Sequence, residues 1–151
     1  EQRVYEDTAR LHSMKAQPVD AFVRVDGYVR GCPMGERDLL ELLSALLLGR
    51  KPDFLECSVC VECKLQENDC LLISKGLPCM GPVTCAGCGA LCPSRGRACF
   101  GCWGPFPGAN TPALAEQFKE MGLSPDEISG LFSEFGGESL EFRVGGELHG
   151  G

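Results

Sequence analysis

At 151 residues the chain is one domain or a little more, long enough to bury about 70% of its unfolded surface. A net charge of −7 without a run of Lys or Arg argues against nucleic acid or an anionic membrane as a partner, and solubility is its plain consequence. The sequence has no stretch of about 18 apolar residues and no early apolar signal region, so the expected location is cytoplasmic.

Residues 1–17 are polar, with scattered apolar positions at Val4, Leu11 and Met14, enough for a short helix. From Val19 to Val29 the loosely alternating Val19, Phe22, Val23, Val25, Tyr28 and Val29 read as a strand interrupted at Asp26-Gly27, where a hairpin turn is the simplest alternative. The strand leads into Gly31-Cys32-Pro33. Residues 36–52 then read as a helix stopped by Gly49 and Pro52. Its leucines at 39, 40, 42, 43, 46, 47 and 48 cover more than one face, as expected of a helix sandwiched between layers or against a partner. The segment is too short, and too interrupted by Glu41 and Ser44, to cross a bilayer.

Ten of the eleven cysteines fall between Cys57 and Cys102. The pairs Cys60-x2-Cys63 and Cys99-x2-Cys102 bracket the region, with Cys70 and Cys92 each seven positions inward and Cys79, Cys85 and Cys88 between them. A disulfide framework suits short secreted chains with an even cysteine count, which this is not. Structural zinc, closed by paired Cys-x2-Cys knuckles, remains a reading, since two ions would use eight cysteines. Iron-sulfur clusters are the other, and Cys85, Cys88, Cys92 and Pro93 reproduce a ferredoxin-like Cys-x2-Cys-x3-Cys-Pro. The matrix favours iron-sulfur. Glycines at 76, 81, 87, 89, 96, 101 and 104 let the backbone curl close to a cluster, and Leu71, Leu72, Ile73, Val83, Leu91, Phe100, Trp103 and Phe106 are available to exclude water. Trp103 reads equally well as core packing.

Gly104 to Gly108 is a breaker-rich linker. A helix over about Pro112 to Met121 follows, with Thr111 as N-cap and Leu114, Phe118 and Met121 on one face. A second opens with the capping box Ser124-Pro125-Asp126-Glu127, aligns Ile128, Leu131, Phe132 and Phe135, and ends at Gly136-Gly137. Leu140, Phe142 and Val144 alternate with Glu141 and Arg143, which predicts an extended tail docked on a surface. These elements read as packing pieces or as a face for a larger subunit. His12 and His149 lie in the terminal segments and read as solvated side chains. No phosphate loop or Gly-x-Gly-x-x-Gly is present, and no paired carboxylates mark an acid-base site. The expectation is that the chain alone performs no bond chemistry.

The words Gly31-Cys32-Pro33, Val59-Cys60, Cys63-Lys64, Glu67-Asn68-Asp69-Cys70, Cys79-Met80-Gly81-Pro82-Val83-Thr84, Gly87-Cys88-Gly89-Ala90-Leu91-Cys92-Pro93 and Cys99-Phe100-Gly101-Cys102-Trp103-Gly104-Pro105 closely resemble the C-terminal half of small subunits of cytosolic nickel-iron hydrogenases. Those most alike are sulfhydrogenase delta subunits and the small subunits of hydrogenases linked to heterodisulfide reductase. The resemblance covers roughly half the chain strongly and the flanks weakly. It implies an irregular α+β fold: a ferredoxin-like two-cluster region over 53–106, preceded over 1–52 by the strand-helix remnant of a flavodoxin-like half and followed over 107–151 by a helical docking segment with two short helices. The ligands it implies for two 4Fe-4S clusters are Cys60, Cys63, Cys70, Cys79, Cys88, Cys92, Cys99 and Cys102. Which four share a cluster stays open, and Cys57 and Cys85 stand as free thiols or alternative ligands. Cys32 would be the last ligand of a third, proximal cluster.

The family's other proximal ligands lie upstream, where this sequence has no cysteine. The expectation is therefore that the chain is a piece of a longer subunit or that a separate polypeptide completes the site. The implied function is an electron relay between the nickel-iron site of a large subunit and a flavin- or iron-sulfur-containing acceptor subunit. The alternatives are an iron-sulfur subunit of a non-hydrogenase redox complex and a structural zinc module for assembly.

Overall fold

The computed structural model describes residues 17–147. The helix expected within 1–17 and both histidines lie outside them. Among the described residues the fold is mostly helical: α1 (Glu36–Leu47), α2 (Val59–Leu65), α3 (Leu71–Ser74), α4 (Thr111–Glu120), α5 (Pro125–Ser133) and α6 (Leu140–Glu147). Single 3-10 turns occur at Val19–Ala21 and Pro93–Arg95. Among the same residues β structure is confined to isolated antiparallel bridges, Gly31 with Met34, Ser58 with Cys85 and Thr84 with Pro105, and no helix is long and apolar enough to cross a membrane.

The strand expected over Val19–Val29 does not form. A strand is held by ladder bonds to a neighbour, and among the described residues no neighbour runs beside this one. Its residues instead make a 3-10 turn and a non-repetitive extended stretch with Val19, Phe22, Val23 and Tyr28 exposed. Gly27 lets the stretch lie against α1, where a Cβ would meet Leu42 Cδ1 at 2.7 Å.

The leucine-rich helix forms as expected and ends through Leu48 and a left-handed Gly49. Only Leu42 and Ala45 are buried, while Leu40, Leu43, Leu46 and Leu47 are exposed. Glu41 secures the chain after the helix: it accepts Arg50 Nη2 at 2.9 Å and the Asp53 amide at 2.7 Å. These bonds hold its carboxyl down at about 2.

The three C-terminal helices form one packed unit. α4 is capped by Asn110, whose side chain accepts the Ala113 amide at 3.1 Å. Thr111, expected as the cap, is instead the first helical residue, and its hydroxyl donates to Glu141 O at 2.7 Å across to α6. The capping box at Ser124 and Glu127 is formed. Phe118, Phe132 and Phe142 stack through the centre with centroids 6.4 and 5.8 Å apart, all at most 1% exposed. Each contributes about 1.5–3 kcal/mol of burial.

The extended tail expected at 140–144 is corrected to α6. Leu140 and Val144 face outward, and the buried positions are Phe142, Gly145 and Gly146. That is an i, i+3, i+4 face whose small residues carry no hydropathy signal. A Cβ on Gly145 would lie 2.7 Å from Phe132 Cε1, so glycine permits the close approach. Phe142 also supports the cysteine region, sitting 3.4 Å from where a Cβ on Gly101 would be.

Candidate metal centre

None of the eleven cysteines is paired in a disulfide. α2 begins at Val59, fully buried, after Ser58, and its first two turns present Cys60 and Cys63 one turn apart. Asn68 and Cys70 follow at the turn into α3, and Cys79 returns after it. Cys60, Cys63, Cys70 and Cys79 thereby line one cavity of about 90 Å³, with Leu71, Gly81, Pro82 and Pro93 also on its wall. Gly81 keeps the space open, since a Cβ there would sit 3.4 Å from Cys79 Sγ and 3.5 Å from Cys60 Sγ. Among the described residues no group of three or more His, Cys, Asp or Glu side chains is placed to hold a single metal ion.

A second group is built from the loops after it. Cys88 is in electrostatic range of Cys102, and Cys102 of Cys92 and Cys32, while Cys99 is in range of Cys79 as well as Cys88, and Cys63 of Cys88. The groups adjoin, because the Cys99 amide donates to Cys79 Sγ at 3.2 Å. Burial pushes the Cys60 thiol up to about 11 and Cys99 up to about 12, and neighbouring cysteines add to both. Burial likewise raises Cys63, Cys88 and Cys102. These groups are therefore protonated at neutral pH without a metal, and thiolate coordination would release their protons.

Cys32 is exposed in the turn closed by the Gly31–Met34 bridge. It lies beside the second group, its amide facing the Cys102 thiol. Trp103 fixes this approach: a Cβ on Gly31 would lie 2.4 Å from its ring, and one on Gly87 2.5 Å from its Nε1. Cys57 and Cys85 belong to neither group. Cys85 is buried against Leu55 O at 3.1 Å and contacts the Arg30 guanidinium. Burial raises its thiol while Arg30 opposes the rise.

Four thiols around a glycine-opened, largely apolar cavity, with Lys64 and Asp69 also on its wall, fit a polynuclear iron-sulfur cluster, which needs thiolate ligands and a close wrapping. Glu62 on α2 and Gln66, which caps its C-terminus one turn on, went unsuspected in the sequence. Glu62 accepts the Gly87 amide at 3.0 Å and the Ala90 amide at 3.2 Å, and Gln66 Nε2 donates to Gly89 O at 2.7 Å. Their spacing on one helix face was readable, but not the loop they grip.

No family model matches the chain. The delta subunit of sulfhydrogenase 2 of Pyrococcus furiosus is 41% identical over 114 residues, 76% of this chain and 47% of that subunit. A subunit of the F420-non-reducing hydrogenase of Methanothermobacter thermautotrophicus is 29% identical over 168 aligned residues, 92% of this chain and 54% of that protein. The iron-sulfur subunit of the F420-non-reducing hydrogenase of Archaeoglobus profundus is 32% identical over 121 residues, 62% of this chain and 37% of that protein. The chain spans about half the length of the curated relatives it matches.

Proposed function

Because the chain belongs to the delta/gamma-type family of hydrogenase small subunits, we propose that it is an electron-relay subunit of a soluble, cytoplasmic nickel-iron hydrogenase. It would pass electrons between the nickel-iron site of a large subunit and a flavin- or iron-sulfur-containing partner. Bond-breaking chemistry belongs to the large subunit, and this chain contributes the path. The observation that supports the reading is the gathering of Cys60, Cys63, Cys70 and Cys79 on a single cavity, with the Cys99 amide bonded to Cys79 Sγ beside it.

Two 4Fe-4S clusters, when bound, supply one-electron exchange at potentials set by charge, burial and hydrogen bonds to sulfur. Cys60, Cys63, Cys70 and Cys79 would hold one, and Cys88, Cys92, Cys99 and Cys102 the other. Met80, Val83 and Ala90, nearly or fully buried, exclude water around them. The Cys99 amide on Cys79 Sγ ties a ligand of the second group to a ligand of the first and fixes their separation. Cys32, whose amide faces the Cys102 thiol, would join ligands supplied from outside this sequence at a third, proximal cluster. Two structural zinc ions would instead draw each quartet of sulfurs onto one point.

Anaerobic purification with quantitation of iron, acid-labile sulfide, zinc and nickel, paired with electron paramagnetic resonance after dithionite reduction, tests this. About eight irons and eight sulfides per chain are expected, with nickel in a co-eluting large subunit. Stoichiometric zinc without sulfide or a reduced-cluster signal overturns the reading in favour of an assembly module. Iron and sulfide with a nickel-free partner assigns the chain to another redox complex.

A further inference from the structure

α2 carries Cys60 and Cys63 on the first cavity, and between them Glu62 reaches the second group. Its Oε1 accepts the Gly87 amide at 3.0 Å, its Oε2 accepts the Ala90 amide at 3.2 Å, and Oε2 lies 3.9 Å from Cys88 Sγ. One carboxylate thus holds the loop that presents Cys88 by the amides on either side of it. Gln66, bonded to Gly89 O and to Ser94 Oγ, fixes the same loop from the next turn. The charge is therefore held at a defined place beside one thiol and is not free to swing into solvent.

We propose that Glu62 is a positioning residue that sets the reduction potential of the cluster held by Cys88, Cys92, Cys99 and Cys102, keeping it more negative than it would otherwise be. The proposal rests on the iron-sulfur reading above. Two effects act in the same direction. A fixed negative charge next to a thiolate ligand disfavours an added electron, and more strongly in a partly buried site than in water. Hydrogen bonds to ligand sulfur favour the added electron, and the Ala90 amide, which faces Cys88 Sγ, is shared with Glu62. The first group is not treated alike: Lys64 and Asp69, of opposite charge, both line its cavity, and Cys79 Sγ receives the Cys99 amide. Glu62 therefore separates the potentials of two clusters that the cysteine spacing alone would leave nearly equivalent.

The test is an anaerobic potentiometric titration followed by electron paramagnetic resonance on the wild-type chain, Glu62→Gln and Glu62→Asp, with iron and sulfide measured on each. Wild-type protein carrying zinc and no sulfide overturns the iron-sulfur reading, and this proposal with it. With iron present in the wild type, Glu62→Gln is expected to favour reduction of one cluster by roughly tenfold, about 59 mV for one electron, while the other moves less. Glu62→Asp, which keeps the charge, should stay near the wild type. The proposal is overturned by unchanged potentials in Glu62→Gln, by equal shifts in both clusters, or by a shift in Glu62→Asp as large as in Glu62→Gln. Loss of iron from Glu62→Gln overturns it too, because Glu62 would then be a structural clamp only.

Discussion

Gly145→Ala and Gly130→Ala place the same methyl group on neighbouring helices and are expected to move stability in opposite directions. Gly130 is exposed within α5, and nothing lies within 4 Å of a Cβ there. Alanine should stabilise by about 0.5–1 kcal/mol, because less backbone freedom is lost on folding. At Gly145 the methyl would stand 2.7 and 2.9 Å from Phe132 Cε1 and Cζ and 2.9 Å from Thr111 Cβ. Neither neighbour can yield easily. Phe132 is locked between Phe118 and Phe142, and Thr111 is tied to Glu141 O. Overpacking of this kind costs about 1–3 kcal/mol, against a helix-propensity gain of about 1 kcal/mol. The net is a destabilisation of about 0–2 kcal/mol, which leaves Gly145→Ala about 2 kcal/mol below Gly130→Ala. At about 2–4 °C per kcal/mol for a chain of this size, their melting temperatures should differ by about 4–8 °C. Thermal unfolding followed by circular dichroism, on samples of equal metal content, reads the difference. Gly145→Ala melting at or above Gly130→Ala would refute the close docking of α6.

Serine at Cys60, Cys63, Cys70 or Cys79 should remove the same set of about four irons, and serine at Cys88, Cys92, Cys99 or Cys102 the other. Metal analysis of double variants decides this, since a pair drawn from one set that empties both sites contradicts the grouping. Glu41 titrates at about 2, below the ordinary 4.5, because Arg50 and the Asp53 amide hold its charged form. Its contribution is therefore complete above about 4.5 and lost as pH falls toward about 2. Arg50→Met should return the Glu41 carboxyl midpoint toward its ordinary value by nuclear magnetic resonance, and an unmoved midpoint would count against the pair. Ser124→Ala removes the α5 cap and should cost about 1 kcal/mol in urea unfolding. A loss of only a few tenths would show that the capping box contributes nothing in solution.

Helices with a polar start signal and a 3.6-residue apolar repeat were readable in the chain, as α5 shows. Two elements were misread for opposite reasons. Val19–Val29 carries β-branched residues but has no neighbouring strand among the described residues, and strand propensity without a partner has nothing to bond. α6 was hidden because two of its three buried positions are glycines, which are silent in any hydropathy pattern yet decisive in a close contact. The spacing and glycine content of the cysteine region read as metal-binding, and the cavity beside α2 gathers Cys60, Cys63, Cys70 and Cys79. Spacing alone could not point to that set, because it is compatible with ligands that cross between sites. Glu62 shows the remaining limit: a carboxylate flanked by ligands looks like surface charge until Gly87 and Ala90 arrive from 25 and 28 residues away.

The contacts that shape the cavity beside α2 bear on how the molecule is made. Cys60 to Cys79 are translated before Pro93 and Cys99, yet Pro93 lines the cavity they form and the Cys99 amide bonds Cys79 Sγ. Chain beyond Cys79 is therefore needed to finish that pocket, and closing the wider loop costs only about 0.6 kcal/mol more per doubling of length. Synthesis interrupted before Pro93 would leave the pocket open.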